Sequence, residues 1–280
     1  MNPLHLILLA IVQGAAELLP VSSSAHVIVT EKLLGLDPTT PEMTLLLVML
    51  HTGTMCAVIV YFWAAWRATY FSSMRSFQTH IAHLLAATAL TGLVGLGLQM
   101  LIQRLIAPHA SHFEIESLFG NARLMAAALA TAGILIITSS RLRERNGTMH
   151  LRSALWVGAI QGLCLPFRGF SRSGATISAG LLLGVSRRRA EEFSFALAVV
   201  LTPVVLVREL HRFFKARDAL TTVPKESLLQ LLSPSLVGML LSFLAGLVAL
   251  RWLSRWLEQG RWHLFGGYCL FAALVVLWVG

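Results

Sequence analysis

One glutamine, one glutamate, three serines and a histidine fall within a single otherwise apolar stretch, Gln13-Gly-Ala-Ala-Glu17-Leu-Leu-Pro-Val-Ser22-Ser23-Ser24-Ala-His26. Gln13 and Glu17 are four apart, so on a helix they share a face. A carboxylate deep in an apolar segment costs on the order of several kcal/mol and marks a functional candidate by default. Its chemistry would be that of a base or of a ligand to a hard cation. The serines sit where a new helix would begin after Pro20, and the free backbone N–H groups of such a start favour phosphate. His26 follows within one turn and can pass protons near neutral pH.

A second cluster reads Gly169-Phe170-Ser171-Arg172-Ser173-Gly174-Ala-Thr176. Arginine offers bidentate, charge-assisted bonds to phosphate oxygens. Gly174 lets the backbone approach closely. An arginine among hydroxyls at another helix start outlines a phosphate cradle. The two clusters together suit attack on phosphorus, in which charge is held on phosphoryl oxygens while a nucleophile arrives in line. Ser23, His26 and water all stay open as that nucleophile. Each residue also has a plainer role. Ser22–Ser24 would serve as a helix cap, His26 as a buried polar residue, and Glu17 with Arg172 as a structural ion pair. What favours a site is the conjunction of acid, hydroxyls, imidazole and arginine in two breaks of apolar sequence.

Six stretches reach the roughly 20 residues that a bilayer-spanning helix needs: 43–66, 80–102, 121–140, 193–210, 229–250 and 262–280. Two further apolar regions, 4–34 and 154–185, are interrupted at 18–24 and 165–174. Their halves are too short to span, which is the pattern of paired half-helices meeting at a polar turn. Such turns are tolerated in a bilayer only when buried in protein or lining a wet cavity. The two regions resemble each other. Ala-Ile-Val-Gln-Gly at 10–14 recurs as Gly-Ala-Ile-Gln-Gly at 158–162, each followed by Leu-Pro and a serine cluster. Glu42 and Glu192 then open the next long apolar run. The expected fold is an all-α polytopic membrane protein made as an inverted repeat of two units, 1–140 and 141–280. Each unit is a re-entrant helical hairpin (4–34 or 154–185) plus three transmembrane helices. An odd number of spans inverts the second copy, so the hairpin tips can meet near the midplane.

Composition agrees with a lipid-facing surface: 56% of the 280 residues are hydrophobic and 12% charged, against roughly 25% charged in soluble domains. The net charge of +9 raises nucleic-acid binding, but the basic residues sit in short gaps between apolar runs rather than on one polar face. No nucleic-acid partner is expected. The gaps near 67–79, 141–153, 186–189 and 251–261 hold twelve Lys and Arg, and the opposite side holds eight. The first side is therefore read as cytoplasmic and both termini as outside, with the basic cluster at 208–217 counting against it. Arg187–Arg189 reads as part of that topology signal and Glu192 as a helix anchor. No basic n-region precedes Lys32, so no cleavable signal peptide is expected. Cys56, Cys164 and Cys269 read as packing residues. His80 and His83 lack a third ligand beside them, and Gly180 and Gly184 have helix-packing spacing.

These same residues carry a family resemblance. Gln-Gly-x-x-Glu-Leu-Leu-Pro-Val-Ser-Ser-Ser-Ala-His at 13–26 resembles the first signature of the bacterial undecaprenyl-diphosphate phosphatases, the bacitracin-resistance family. Gly-Phe-Ser-Arg-Ser-Gly-Ala-Thr at 169–176 resembles the second, and 184–187 and 192–195 match as well. The resemblance covers essentially the whole chain. It implies hydrolysis of undecaprenyl diphosphate to the monophosphate and inorganic phosphate, recycling the lipid carrier for cell-wall synthesis and conferring bacitracin resistance. It implies a multi-pass protein of the bacterial plasma membrane, an outward-opening site, and a divalent cation, Mg2+ or Ca2+, with Glu17 as the metal-ligand candidate. A homodimer is compatible with it. The implied functional residues are Gln13, Glu17, Ser22, Ser23, His26, Ser171, Arg172 and Thr176, with Ser173 and Gly174 completing the second cradle. Ser24-Ala25 departs from the commoner Thr-Gly, and the approach Leu165-Pro-Phe-Arg168-Gly169 is one residue longer and adds Arg168. The phosphatidic-acid phosphatase class needs a histidine six residues after its Ser-Arg; Ser178 stands there. A transporter or flippase of polyprenyl lipids is the main rival, because inverted repeats with broken helices suit transport equally well.

Overall fold

A computed structural model describes residues 2–37, 40–106, 121–143, 145–167, 169–219 and 227–279. Arg168 lies outside the described residues. Ten helices run through the rest: α1 (Pro3–Leu18), α2 (Ser23–Leu33), α3 (Pro41–Tyr70), α4 (Met74–Ile106), α5 (Ala122–Ser140), α6 (Leu151–Cys164), α7 (Arg172–Leu182), α8 (Arg187–Ala219), α9 (Ser227–Glu258) and α10 (Trp262–Val279). The protein is an all-α, multi-pass membrane protein. Four stretches are long and apolar enough to cross a membrane: Met43–Tyr70, Met74–Leu105, Ala122–Ser140 and Ser233–Glu258. The other two expected spans are helical in α8 and α10, though the apolar part of α10 is shorter, at Trp262–Trp278.

Both expected interruptions are present. α1 stops at Leu18, just before Pro20, and α2 restarts at Ser23. α6 stops at Cys164, and α7 begins at Arg172. Within each pair the two helices pack on one another. α1 also packs on α9, and α6 on α4.

Glycines set how closely these helices approach. A Cβ on Gly14 of α1 would lie 2.7 Å from Ser242 O of α9, and one on Gly162 of α6 would lie 2.8 Å from Thr91 O of α4. Gly133 of α5 backs onto Gly266 of α10, where a Cβ would lie 2.8 Å from the carbonyl oxygen. Close backbone approach at small residues is how helices gain contact in lipid, where apolar burial gives no advantage over lipid tails.

One end of the bundle is tied by polar contacts. Trp66 Nε1 donates to Glu192 O, Arg187 Nη1 donates to Glu258 O, and Ser186 N donates to Gly147 O. Glu192 does anchor the start of α8: it is buried and takes 2.9 Å bonds from Arg188 Nε and Arg189 Nη1. Ser178 is structural, because its hydroxyl accepts from Ser139 Oγ and Trp262 Nε1 in the core.

Candidate active site

The two interruptions meet. Ser173 Oγ donates to Leu19 O across the gap at 3.3 Å, and Cys269 Sγ of α10 closes on Pro20 O at 3.1 Å. A Cβ on Gly174 would come within 3.2 Å of Pro20 and 2.9 Å of Ile136, so glycine there permits the two turns to touch. Gly169, at φ +106, packs against Met125 O; this left-handed conformation favours glycine and shapes the approach to the second turn.

Glu17 is the centre of the arrangement. Its Oε1 accepts from Arg172 Nη2 at 2.9 Å, joining residues 155 positions apart. Its Oε2 accepts from Ser23 Oγ at 2.6 Å and from Gln13 Nε2 at 3.3 Å. Gln13 and Glu17 therefore share a face of α1, as their spacing requires. The acid and the guanidinium retain 17% and 23% side-chain exposure, so neither is sealed off in the core.

The turn before α2 leaves donors free. Ser22 occupies the N-cap position, yet its hydroxyl makes no capping bond. It sits at φ +66, the only described non-glycine residue at positive φ, and such strain in a polar turn is characteristic of ligand-holding backbone. Here the capping role expected of a serine is unfilled, so the first amides of α2 remain available to an anion. On α7 the reverse holds, because Ser171 Oγ accepts from Gly174 N at 3.2 Å and caps the helix.

Not every candidate faces Glu17. His26 has both ring nitrogens occupied: Nδ1 donates to Ser22 O at 2.8 Å, and Nε2 accepts from Tyr268 OH at 2.6 Å, with the two rings stacked. Thr176 is fully buried; its Oγ1 donates back to Arg172 O and pairs with Ser194 Oγ at 2.6 Å, tying α7 to α8. Ser171 and Ser173 are also buried. Thus Gln13, Glu17, Ser23 and Arg172 form one bonded cluster, while Ser22, Ser171, Ser173 and Gly174 shape its walls. His26 and Thr176 hold neighbouring helices.

Sequence reasoning missed His51. Its Nδ1 donates to Leu47 O at 2.8 Å, which turns Nε2 to within 3.7 Å of Glu17 Oε2. A histidine inside an apolar span carries the same cost that singled out Glu17, so the signal was present. Tyr268 and Ser194 gave no such signal.

The chain is similar to undecaprenyl-diphosphatase 2 of Acinetobacter baylyi, with 62% identity over 278 residues covering 99% of this chain and 98% of that one. It is 34% identical to undecaprenyl-diphosphatase 2 of Burkholderia orbicola and to undecaprenyl-diphosphatase 1 of Burkholderia pseudomallei, in each case over 97% of this chain and 95% of the relative. With residues 6–275 matching the family described as bacitracin resistance protein BacA, and both bonded turns inside that match, the chain belongs to the BacA family.

Proposed function

We propose that this protein hydrolyses undecaprenyl diphosphate to undecaprenyl phosphate and inorganic phosphate within the membrane. It thereby returns the lipid carrier to cell-wall synthesis and confers bacitracin resistance. The observation that carries the chemistry is the bonded series Ser23–Glu17–Arg172 at the meeting of the two turns. Ser23 Oγ attacks the terminal phosphorus while Glu17 Oε2 takes its proton. The anhydride P–O bond breaks, and its electron pair leaves on undecaprenyl phosphate. Water then cleaves the phosphoserine and releases phosphate. Arg172, freed from Glu17 by the incoming diphosphate, and the open amides of α2 hold the phosphoryl charge. His51 and Gln13 keep the carboxylate oriented toward Ser23.

Among the described residues no group of three His, Cys, Asp or Glu side chains could cage a metal ion. The site therefore fits a divalent cation only through Glu17, with diphosphate oxygens and water completing the shell. Mg2+ or Ca2+ held there would neutralise charge on the substrate phosphates. Phosphate release by the detergent-purified protein, with and without chelator, tests the proposal. Binding of the lipid diphosphate without phosphate release would overturn it and favour a carrier.

The architecture we infer is two inverted units, 1–140 and 141–280, with α1–α2 and α6–α7 as re-entrant hairpins. The exchange of packing partners supports this: α1 lies on α9 as α6 lies on α4, α3 lies on α8, and α5 lies on α10. Gln13-Gly14 and Gln161-Gly162 occupy matching places in those contacts. On this topology the basic ends face the cytoplasm, the site opens to the periplasm, and both termini lie outside. A tag after Gly280 should react with impermeant reagents applied to intact cells. Labelling only after the cytoplasm is opened would reverse the orientation.

Arg172→Lys tests the fork. Lysine keeps the charge but loses the planar pair of donors. Turnover should fall at least about tenfold, roughly 1.4 kcal/mol of transition-state stabilisation. Near-normal phosphate release would remove Arg172 from the site. Arg168→Lys should matter less, since Arg168 lies outside the matched Ser-Arg-Ser-Gly core.

A further inference from the structure

Three chain connections converge at the end of the bundle away from the bonded turns. The segment after α5 pairs with the α7–α8 connection through the Gly147–Val185 bridge. Gly184 packs on Arg145, where a Cβ would lie 3.1 Å from Arg145 Cδ. The α9–α10 connection closes the third side, and Gly260, at φ +73, lies against the guanidinium of Arg187. Between them is a narrow recess of about 20 Å³, with Ser139, Arg143, Arg145, Arg187, Gly260 and Trp262 around it. Its floor is fixed, because Trp262 is buried and bonded to Ser139 and Ser178. α8 and α10 both begin here, adding two positive helix ends to three arginines.

The recess does not stand alone. Ser140 lies on its rim and also on that of a neighbouring groove of about 640 Å³ between α5 and α10. That groove is walled by Ile137, Leu264 and Gly267, with Arg141 and His263 also lining it. A Cβ on Gly267 would meet nothing within 4 Å, and Leu264 is 43% exposed. A cationic recess beside an apolar groove, the two sharing Ser140, has the two-part chemistry of a lipid: an anionic head beside an aliphatic chain. α7 separates this place from the bonded turns. Arg172 opens the helix at Glu17, and Leu181, near its other end, lines the recess, about 13.5 Å away at the rise of an α-helix.

We propose that the recess and groove bind one anionic phospholipid, its phosphodiester among Arg143, Arg145 and Arg187 and one acyl chain along Ile137, Leu264 and Gly267. On the orientation proposed above this end faces the cytoplasm, where basic pockets between helices are suited to such headgroups. The groove adjoining it at Ser140 points to a membrane phospholipid rather than to a soluble anion, which would have no use for the apolar wall. The site is separate from the phosphatase site and does not require its chemistry.

The full-length protein in neutral detergent is titrated with dioctanoyl phosphatidylglycerol, dioctanoyl phosphatidylcholine and inorganic phosphate, with binding followed by native mass spectrometry and by the thermal unfolding midpoint. Phosphatidylglycerol should bind saturably and raise the midpoint; the other two should do neither. Arg143→Gln with Arg145→Gln should weaken phosphatidylglycerol about tenfold or more, with undecaprenyl diphosphate hydrolysis unchanged. Gly267→Leu, which enters open space and leaves every arginine in place, should also weaken it. Should the double arginine variant fail to fold, Gly267→Leu decides alone. Equal binding of phosphatidylcholine, equal stabilisation by inorganic phosphate, or undiminished phosphatidylglycerol affinity in the variants would each overturn the proposal.

Discussion

Glu17→Gln should reduce phosphate release by about 10²- to 10⁴-fold, the range general acid–base catalysis supplies. The swap is isosteric, so the turn should keep its shape. What is lost is chemical. The carboxylate accepts the Ser23 hydroxyl at 2.6 Å and holds Arg172 at 2.9 Å. An amide can accept a hydrogen bond but cannot take the proton. It also leaves Arg172 without its counter-ion before substrate arrives. Gln13 provides the contrast. It is buried on the same face of α1 and only donates to Glu17, at 3.3 Å. Gln13→Glu sets a second carboxylate about where the 3.3 Å hydrogen bond was, and the two acids repel unless they share a proton. The base is kept, so the loss should stay within about tenfold, or 1.4 kcal/mol, once the pH is high enough to free it. Both variants need assay at matched expression, with thermal unfolding as the check on folding. Full activity in Glu17→Gln, or a dead Gln13→Glu beside an active Glu17→Gln, would show that the base is not Glu17.

The two breaks were legible because they are local. Leu-Pro stops the first apolar run, and no long hydrophobic stretch can pass through Gly169-Phe-Ser-Arg172-Ser-Gly174. Helix ends were less legible. α3 runs to Tyr70 and α4 begins at Met74, beyond the apolar parts read at 43–66 and 80–102, because backbone hydrogen bonding continues into polar residues once a span has formed. The bond between Glu17 and Arg172 was legible only as the plainer alternative, an ion pair of opposite charges in two apolar breaks. The direction of each hydroxyl was not legible. Ser23 turns to Glu17 while Thr176 turns to Ser194, and nothing in either motif distinguishes them. Tyr268 meets His26 across 242 positions; such a contact depends on how α10 rotates about its axis, which an almost wholly apolar helix leaves unmarked.

Ser23→Ala should lower turnover on the order of 10³-fold or more, as removal of an activated nucleophile does elsewhere. The argument is positional. Ser23 is the first residue of α2, its hydroxyl already donates to Glu17, and the unfilled cap at Ser22 leaves amides beside it for the phosphoryl oxygens. His26 cannot take that role as placed, because Ser22 O and Tyr268 OH occupy its two nitrogens. His26→Ala and Tyr268→Phe break the same contact between α2 and α10, so they should fall together and by less, about tenfold each. The comparison separates three nucleophiles. With serine as nucleophile, Ser23→Ala loses almost all turnover and the wild type forms an acid-stable phosphoserine on rapid quenching. With water as nucleophile, Ser23→Ala retains turnover within about a hundredfold and no phosphoserine forms. A dead His26→Ala beside an active Tyr268→Phe would mean that the imidazole leaves its partners when substrate binds, and the attack on phosphorus would then belong to His26.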